Sequence, residues 1–233
     1  MTETRLYIVR HGKTMFNTLG RAQGWCDSPL TTLGREGIRE LGQGFAVDGL
    51  TFDEAFSSDS GRTLETLAIV LKELGQESLP HTADRRIREW CFGSLEGLYD
   101  EELFHGVLPR TSVVGLDKKL TNLTYQEIAE ALVEADTAGW AEPWEVLRDR
   151  IWQGFVSIAE RLETRGGGNG LVVCHGMTIA TLLWLIDPWW EKMMIDNGSV
   201  TVLSYEKGHF SIEQVADLSY RYKGREALAN ERK

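Results

Sequence analysis

Arg10-His11-Gly12 and His175-Gly176 are far apart in the chain, yet each closes an apolar run, Leu6 to Val9 and Leu171 to Cys174. Together with Arg62 and Glu89 they supply two imidazoles, two guanidiniums and one carboxyl. Arginines stay protonated, so a pair of them disfavours a bound cation and favours a dianion such as phosphate, which each can grip with two parallel N–H groups. Their charge also lowers a neighbouring imidazole's pKa, which keeps a ring nitrogen of His11 free to attack phosphorus near neutral pH. With a second, protonated histidine, His175, the arginines would neutralise the equatorial oxygens of a transferring phosphoryl group without magnesium. The leaving oxygen still needs a proton, and Glu89, followed by Trp90 and Phe92, is the candidate carboxylic acid. This scheme calls for no metal ligands and no cofactor.

Such residues act together only if the fold brings them to one place. The apolar runs ending at His11 and His175 read as buried strands, and open α/β sheets place ligands just beyond the carboxyl ends of such strands. Phe16 to Leu30 reads as a loop long enough to line a site, with a turn at Ser28-Pro29. Thr31 or Thr32 can cap a helix carrying Ile38, Leu41 and Phe45, in which Gly37, Gly42 and Gly44 permit close packing. Phe52 to Ser57 reads as a short strand. Ser57-Ser58-Asp59 offers capping oxygens for a helix whose first turn holds Arg62 and whose buried stripe is Leu64, Leu67, Leu71 and Leu74, ended at Gly75. Between Pro80 and Gly139 the pattern weakens: Ile87 to Phe92 reads as extended, Gly93 to Gly97 as a loop and Thr124 to Glu134 as an amphipathic helix. Pro143 opens a long helix with the stripe Leu147, Ile151, Phe155, Ile158 and Leu162, stopped by a flexible loop at Gly166-Gly167-Gly168, which lacks the spacing and the Lys-Ser/Thr of a phosphate loop. A helix from Thr178 to Ile186 and a hairpin of Ser199 to Tyr205 with Phe210 to Val215, turning at Lys207-Gly208, complete the pattern. The tail from Ala216 reads as peripheral. Alternating strands and helices predict an α/β three-layer sandwich: a mostly parallel central sheet with helices on both faces, an antiparallel edge hairpin and a cap subdomain inserted at about 98–140 of one domain covering 1–233.

Composition narrows the partners. Hydrophobic residues make up 42% and charged residues 26% of the chain, which suggests neither disorder nor a membrane class. A formal charge of −10 repels nucleic acid and anionic membrane at long range, so an anionic small substrate needs a locally positive pocket, which strand-end arginines supply. Cys26, Cys91 and Cys174 are odd in number and widely spaced, against both a disulfide framework and a zinc site. With the first strand opening directly after Met1, a leader sequence is not expected, and the reading is a cytoplasmic protein. The oligomeric state is left open. Outside these motifs, His81, His105 and His209 read as surface residues, Glu96 and Asp59 as caps or solvated charges, and Trp184, Trp189 and Trp190 as packing.

Taken in order, Arg10-His11-Gly12 with Thr14, Asn17 and Gly24, Ser57-Ser58 with Arg62 and Thr63, Glu89-x-x-Phe-Gly-x-x-Glu-Gly, and His175-Gly176 resemble the histidine phosphatase superfamily, in its cofactor-dependent phosphoglycerate mutase branch. The resemblance spans roughly Arg5 to Ser204. It implies a phosphohistidine on His11, phosphate held by Arg10, Asn17, Arg62 and His175 beside Gly176, Glu89 as proton donor, and Gln23 and Gly24 on the substrate side. Mutases of this branch are expected to carry a lysine after the Glu-Gly turn and an arginine pair further on, which hold the second acidic group of a bisphosphate. Asp100 stands in the lysine's place among Tyr99, Glu101 and Glu102, and no Arg-Arg pair occurs between Leu103 and Gly139. A carboxylate there repels a second phosphate, which favours a metal-independent phosphatase of small metabolites over a mutase. Arg110, Lys118 or Lys119 folding over the site would restore the mutase reading, and a catalytically weak phospho-ligand-binding regulator is the third alternative.

Overall fold

A computed structural model describes residues 3–116, 122–188 and 194–231. Six strands form one sheet in the order β3-β2-β4-β1-β5-β6. These are β1 Thr4–Arg10, β2 Glu54–Ser57, β3 His81–Ala83, β4 Gly168–Cys174, β5 Val200–Glu206 and β6 His209–Asp217. β1 to β4 run parallel to one another, whereas β5 is antiparallel to both β1 and β6, so the edge hairpin is as expected. The helices are α1 Met15–Leu19, α2 Thr32–Val47, α3 Gly61–Glu73, α4 Tyr125–Ala135, α5 Trp144–Thr164, α6 Gly176–Ile186 and α7 Ser219–Glu231.

Strand alternation builds the three layers. Tyr7, Val9, Leu171 and Val173 face α2 and α3 through Ile38, Leu41, Phe45, Leu67 and Val70. Leu6, Ile8, Val172 and Cys174 face the other way, against Ile151, Phe155 and Ile158 of α5 and Ile179 and Leu182 of α6. Every residue of Leu171 to Cys174 is fully buried, the mark of a central parallel strand covered on both faces. The register pairs Arg10 with Cys174, so the next residues, His11 and His175, leave the sheet side by side. Among the described residues, no helix is long and apolar enough to cross a membrane.

Several local expectations are corrected. The stretch from Phe16 is not all loop, because Thr14 forms a capping box with Asn17 and starts α1. On α3 the buried stripe is Leu67, Val70 and Leu71 with Thr63 and Thr66, while Leu64 is exposed and Ser60 takes the N-cap position. Ile87 to Phe92 contains no strand. The extended piece lies earlier, at β3, followed by 3-10 turns at Arg85–Ile87 and Gly93–Leu95. Gly168 is already the first residue of β4, where a side chain would collide with the Asp53 carboxylate. Within 98–140 the chain forms a π-helical turn at Glu102–Val107, a 3-10 turn at Leu108–Arg110 and α4. Arg110 is exposed, and Lys118, Lys119, Trp189 and Trp190 lie outside the described residues. Trp184 packs edge-on against Tyr125 and Trp144.

The largest departure is the C-terminal tail, which forms α7 and docks on α2. A Cβ added at Gly44 would sit 1.8 Å from the Tyr220 carbonyl, and one added at Gly224 would sit 1.8 Å from the Glu40 carbonyl. Backbone meets backbone there, which only glycine allows.

Candidate active site

His11 stands just past the end of β1, with its backbone N–H bonded to the Cys174 carbonyl at 3.0 Å. Its ring lies 5.3 Å from that of His175, centroid to centroid. His11 Nδ1 is 2.9 Å from the Gly12 carbonyl. A carbonyl only accepts, so Nδ1 carries the hydrogen and Nε2 keeps its lone pair. At His175 the tautomer is the opposite one. Arg62 Nη2 donates to its Nδ1 at 2.9 Å, which leaves the hydrogen on Nε2. Burial, then the positive charges of Arg62 and Arg10, push His11 well below the usual imidazole range. His175 is pushed down by burial, Arg62 and then its neighbour His11. Both rings are therefore neutral near pH 7, which corrects the expectation of a protonated His175: before an anion arrives, that residue offers an N–H dipole and no charge.

Besides Arg221 Nε on α7, three buried N–H groups have no hydrogen-bond partner among the described residues: Arg10 Nε, Arg62 Nε and His175 Nε2. Buried donors without acceptors are costly and uncommon. Their gathering beside the free Nε2 lone pair of His11 is the arrangement an oxyanion with several acceptor oxygens would satisfy. The rest of the Arg62 fork is fully used: Nη1 donates to the Cys26 carbonyl at 3.0 Å and to Asp27 Oδ1 at 2.8 Å, and Nη2 also donates to the Gly24 carbonyl at 2.7 Å. Arg10 donates from Nη1 to the Ile195 carbonyl. Gly176 has no side chain to obstruct it, since a Cβ there would lie 3.2 Å from Arg10 Nε.

Glu89 caps the N-terminus of α6. Its Oε2 accepts from the Met177 N–H at 3.0 Å, and Oε1 accepts from the N–H groups of Thr178 at 3.0 Å and Trp90 at 3.1 Å. These amides are among those that a helix start leaves unpaired, so the carboxyl position follows from helix geometry. Arg150 of α5 holds the irregular segment leading into Glu89 by donating to the carbonyls of Arg86, Arg88 and Glu89 at 2.8–2.9 Å.

Asn17 accepts on Oδ1 from the Thr14 N–H and from Asn197 Nδ2, both at 3.2 Å, and lines a cavity together with Arg10 and Asp100. Gln23, expected on the substrate side, has both ends of its amide engaged: Oε1 accepts from Thr14 at 2.7 Å and Nε2 donates to Ser28 at 3.0 Å. It braces the loop. Gly24 is sterically required, because a Cβ would lie 2.1 Å from the Trp90 carbonyl.

Reading the sequence missed how that loop is anchored. Glu96, taken for a cap or a solvated charge, accepts four backbone N–H groups: Gly24 at 2.9 Å, Trp25 at 2.7 Å, Cys26 at 3.2 Å and Phe92 at 3.1 Å. Asp59 pairs with Arg88, with both contacts at 2.6 Å. Thr66 was also missed. Its hydroxyl accepts from the Gly12 N–H and donates to the Arg62 carbonyl, tying β1 to α3. The one available sign of the Glu96 role was its place in the Glu-Gly motif, since main-chain amides leave no trace in residue type. Replacing Glu96 by alanine strands those amides and is expected to lower unfolding free energy by roughly 2–3 kcal/mol, the scale of losing charge-assisted hydrogen bonds. A shift of the denaturation midpoint at constant slope measures it.

An α/β sandwich with two strand-end histidines beside the buried Arg62 and the half-buried Arg10 defines a family. The chain belongs to the histidine phosphatase superfamily (branch 1), whose pattern it matches over residues 6–110 and 116–218. It is similar to a solved phosphoglycerate mutase from Bacillus anthracis str. Sterne, with 38% identity and a TM-score of 0.90 over 96% of this chain and 97% of that one. Bacillus stearothermophilus YhfR is similar at 27% identity and a TM-score of 0.71, covering 94% and 99% of the two chains. A 2,3-bisphosphoglycerate-dependent phosphoglycerate mutase of Bradyrhizobium sp. strain BTAi1 is 38% identical over 102 residues, 44% of this chain. That match spans about half, 49%, of the mutase's own length. A mutase of the same name from Baumannia cicadellinicola is 29% identical over 84% of this chain and 86% of its own.

Proposed function

We propose that the chain is a metal-independent phosphomonoesterase of small phosphorylated metabolites that works through a phosphohistidine on His11. In the first step Nε2 of His11 attacks phosphorus, the P–O bond to the leaving group breaks, and Glu89 gives its proton to the leaving oxygen. In the second step water attacks the phosphohistidine, Glu89 takes a proton from that water, and inorganic phosphate departs. Arg10, Arg62, Asn17 and the Nε2–H of His175 hold the equatorial oxygens throughout, with the two guanidiniums supplying the positive charge that phosphoryl transfer requires. The Thr178 hydroxyl suits a carboxyl that alternates between acid and base. It lies 2.8 Å from the Arg88 carbonyl and 3.0 Å from Glu89 Oε1, so it can donate to an ionised Glu89 or accept from a protonated one while bonding Arg88.

The observation that carries hydrolysis over transfer is Asp100. It lines the same cavity as Arg10 and Asn17, of about 520 Å³; burial raises its carboxyl above the usual range, and Arg10 is close enough to offset part of that rise. A negative charge beside the phosphate site opposes the second anionic group of a bisphosphate. The mutase reading rests on the names of the relatives, above all the 38%-identical structure from Bacillus anthracis. The two separate in one experiment. Phosphate release from a panel of phosphomonoesters in excess chelator is measured beside interconversion of the two monophosphoglycerates primed with bisphosphate. Release should be the faster process, and interconversion outrunning it would overturn the proposal. Asp100→Lys should raise affinity for a bisphosphate by about tenfold, the worth of one charge pair at an effective dielectric intermediate between water and protein.

A further inference from the structure

The C-terminal helix α7 reaches the candidate site through one residue. Arg221 donates from Nη1 to the Asn197 carbonyl at 3.2 Å and from Nη2 to Glu40 Oε2 at 3.2 Å. Arg225 holds the same Glu40 carboxylate from the next turn of the helix, at 2.7 Å. Space for the Arg221 side chain is built in: a Cβ at Gly37 would lie 2.6 Å from its Nη2, and one at Gly198 would lie 3.3 Å from its Cδ. The segment it holds, Ile195 to Ser199, touches the site repeatedly. Arg10 donates its backbone N–H to the Ser199 carbonyl, accepts from the Gly198 N–H and reaches the Ile195 carbonyl with its guanidinium. Asn197 Nδ2 donates to the His11 carbonyl at 2.9 Å and to Asn17 Oδ1.

The His11–Gly12 peptide is thereby pinned on both edges. Its N–H is held by Thr66 of α3 and its carbonyl by Asn197. The imidazole in turn is fixed to the next carbonyl, that of Gly12. Any tilt of the peptide plane is therefore passed to the direction of Nε2. We propose that Arg221 is a positioning residue for His11: by fixing the backbone at Asn197 it sets the peptide that aims the His11 ring and, through the same amide, the Asn17 side chain. The proposal rests on the phosphoryl-transfer reading given above. Misplacing a reacting atom by about an ångström can cost on the order of 10²-fold in rate.

The test compares Arg221→Leu with Arg225→Leu. Both remove a contact between α7 and Glu40, and only the first frees Asn197. Arg221→Leu should lower kcat on a chromogenic phosphate ester about tenfold while KM changes less than about threefold, a split expected when an interaction acts on the chemical step. It should also displace the ¹⁵N resonances of the His11 ring in the ligand-free protein. Arg225→Leu should leave kcat and those resonances in place despite a similar loss of thermal stability, and Arg221→Lys should recover part of kcat. If Arg221→Leu fails to fold, Arg221→Gln takes its place. Equal behaviour of the Arg221 and Arg225 variants on both readouts would overturn the proposal. The His11 resonances keep the two readings apart, because they report the hold of Arg221 on His11 even if replacing His11 shows that turnover resides elsewhere.

Discussion

His11→Ala is expected to abolish turnover, by roughly 10⁴-fold or more, the scale on which deletion of a catalytic nucleophile is felt. The size follows from how little else could attack phosphorus. His11 presents the one imidazole lone pair at the site, because Nδ1 of His175 is occupied by the Arg62 guanidinium. That lone pair is available at neutral pH, since burial and the charges of Arg62 and Arg10 keep the ring unprotonated. Removing the ring leaves both arginines and the Nε2–H of His175 in place, so the variant should still bind inorganic phosphate in calorimetry while no longer forming a covalent phosphoenzyme. Rapid quenching of the wild type with a labelled phosphate ester should trap an acid-labile, base-stable adduct that the variant lacks. Turnover within tenfold of wild type in a contaminant-free preparation would remove His11 from the mechanism.

How much of this was legible in the chain depended on where the information is stored. β1 and β4 could be read because four consecutive apolar residues, followed abruptly by Arg-His-Gly in one and His-Gly in the other, have few other interpretations. The pairing of His11 with His175 followed from a parallel sheet, and the register of Arg10 with Cys174 bears out that geometry. β3 was not legible, since three residues, His81 to Ala83, with two exposed, carry no apolar run. α7 was missed for a related reason. It buries chiefly backbone and a glycine against α2, so its side chains remain polar and no hydrophobic stripe announces it. The protonation of His175 was misjudged because residue type does not disclose burial, and burial is the leading cause of its lowered pKa. Glu96, Arg150 and Thr66 act on main-chain groups of distant segments, which only the folded chain brings to them.

Arg62→Met should be the most damaging single substitution for stability and activity together. The Arg62 side chain is fully buried and forms the hub between α3, the Gly24–Asp27 loop and His175. Methionine fills much of the volume but donates nothing, so two carbonyls, the Asp27 carboxylate and His175 Nδ1 lose their partner inside the protein. Breaking one side of such a buried charged network costs about 3–5 kcal/mol. Losing a guanidinium from the transferring phosphoryl group lowers kcat further, by about 10³-fold. Arg62→Lys separates the two effects, because an ammonium keeps the charge but cannot reproduce the fork, and it should recover more stability than activity. The pH dependence supplies a check on the electrostatics. Both histidines have folded pKa values below their unfolded value of about 6.5, so their contribution to stability is complete above that pH and is lost as pH falls, by up to about 1.4 kcal/mol per pH unit for each ring. Without the Arg62 charge both rings protonate at higher pH than in the wild type. The stability curves of wild type and Arg62→Met should fall in parallel below about pH 6.5, and the gap between them should narrow once the variant's rings have taken up their protons. A gap that widens in acid would mean that Arg62 does not hold the two imidazoles neutral, and with that the account of His11 as a ready nucleophile would lose its electrostatic cause.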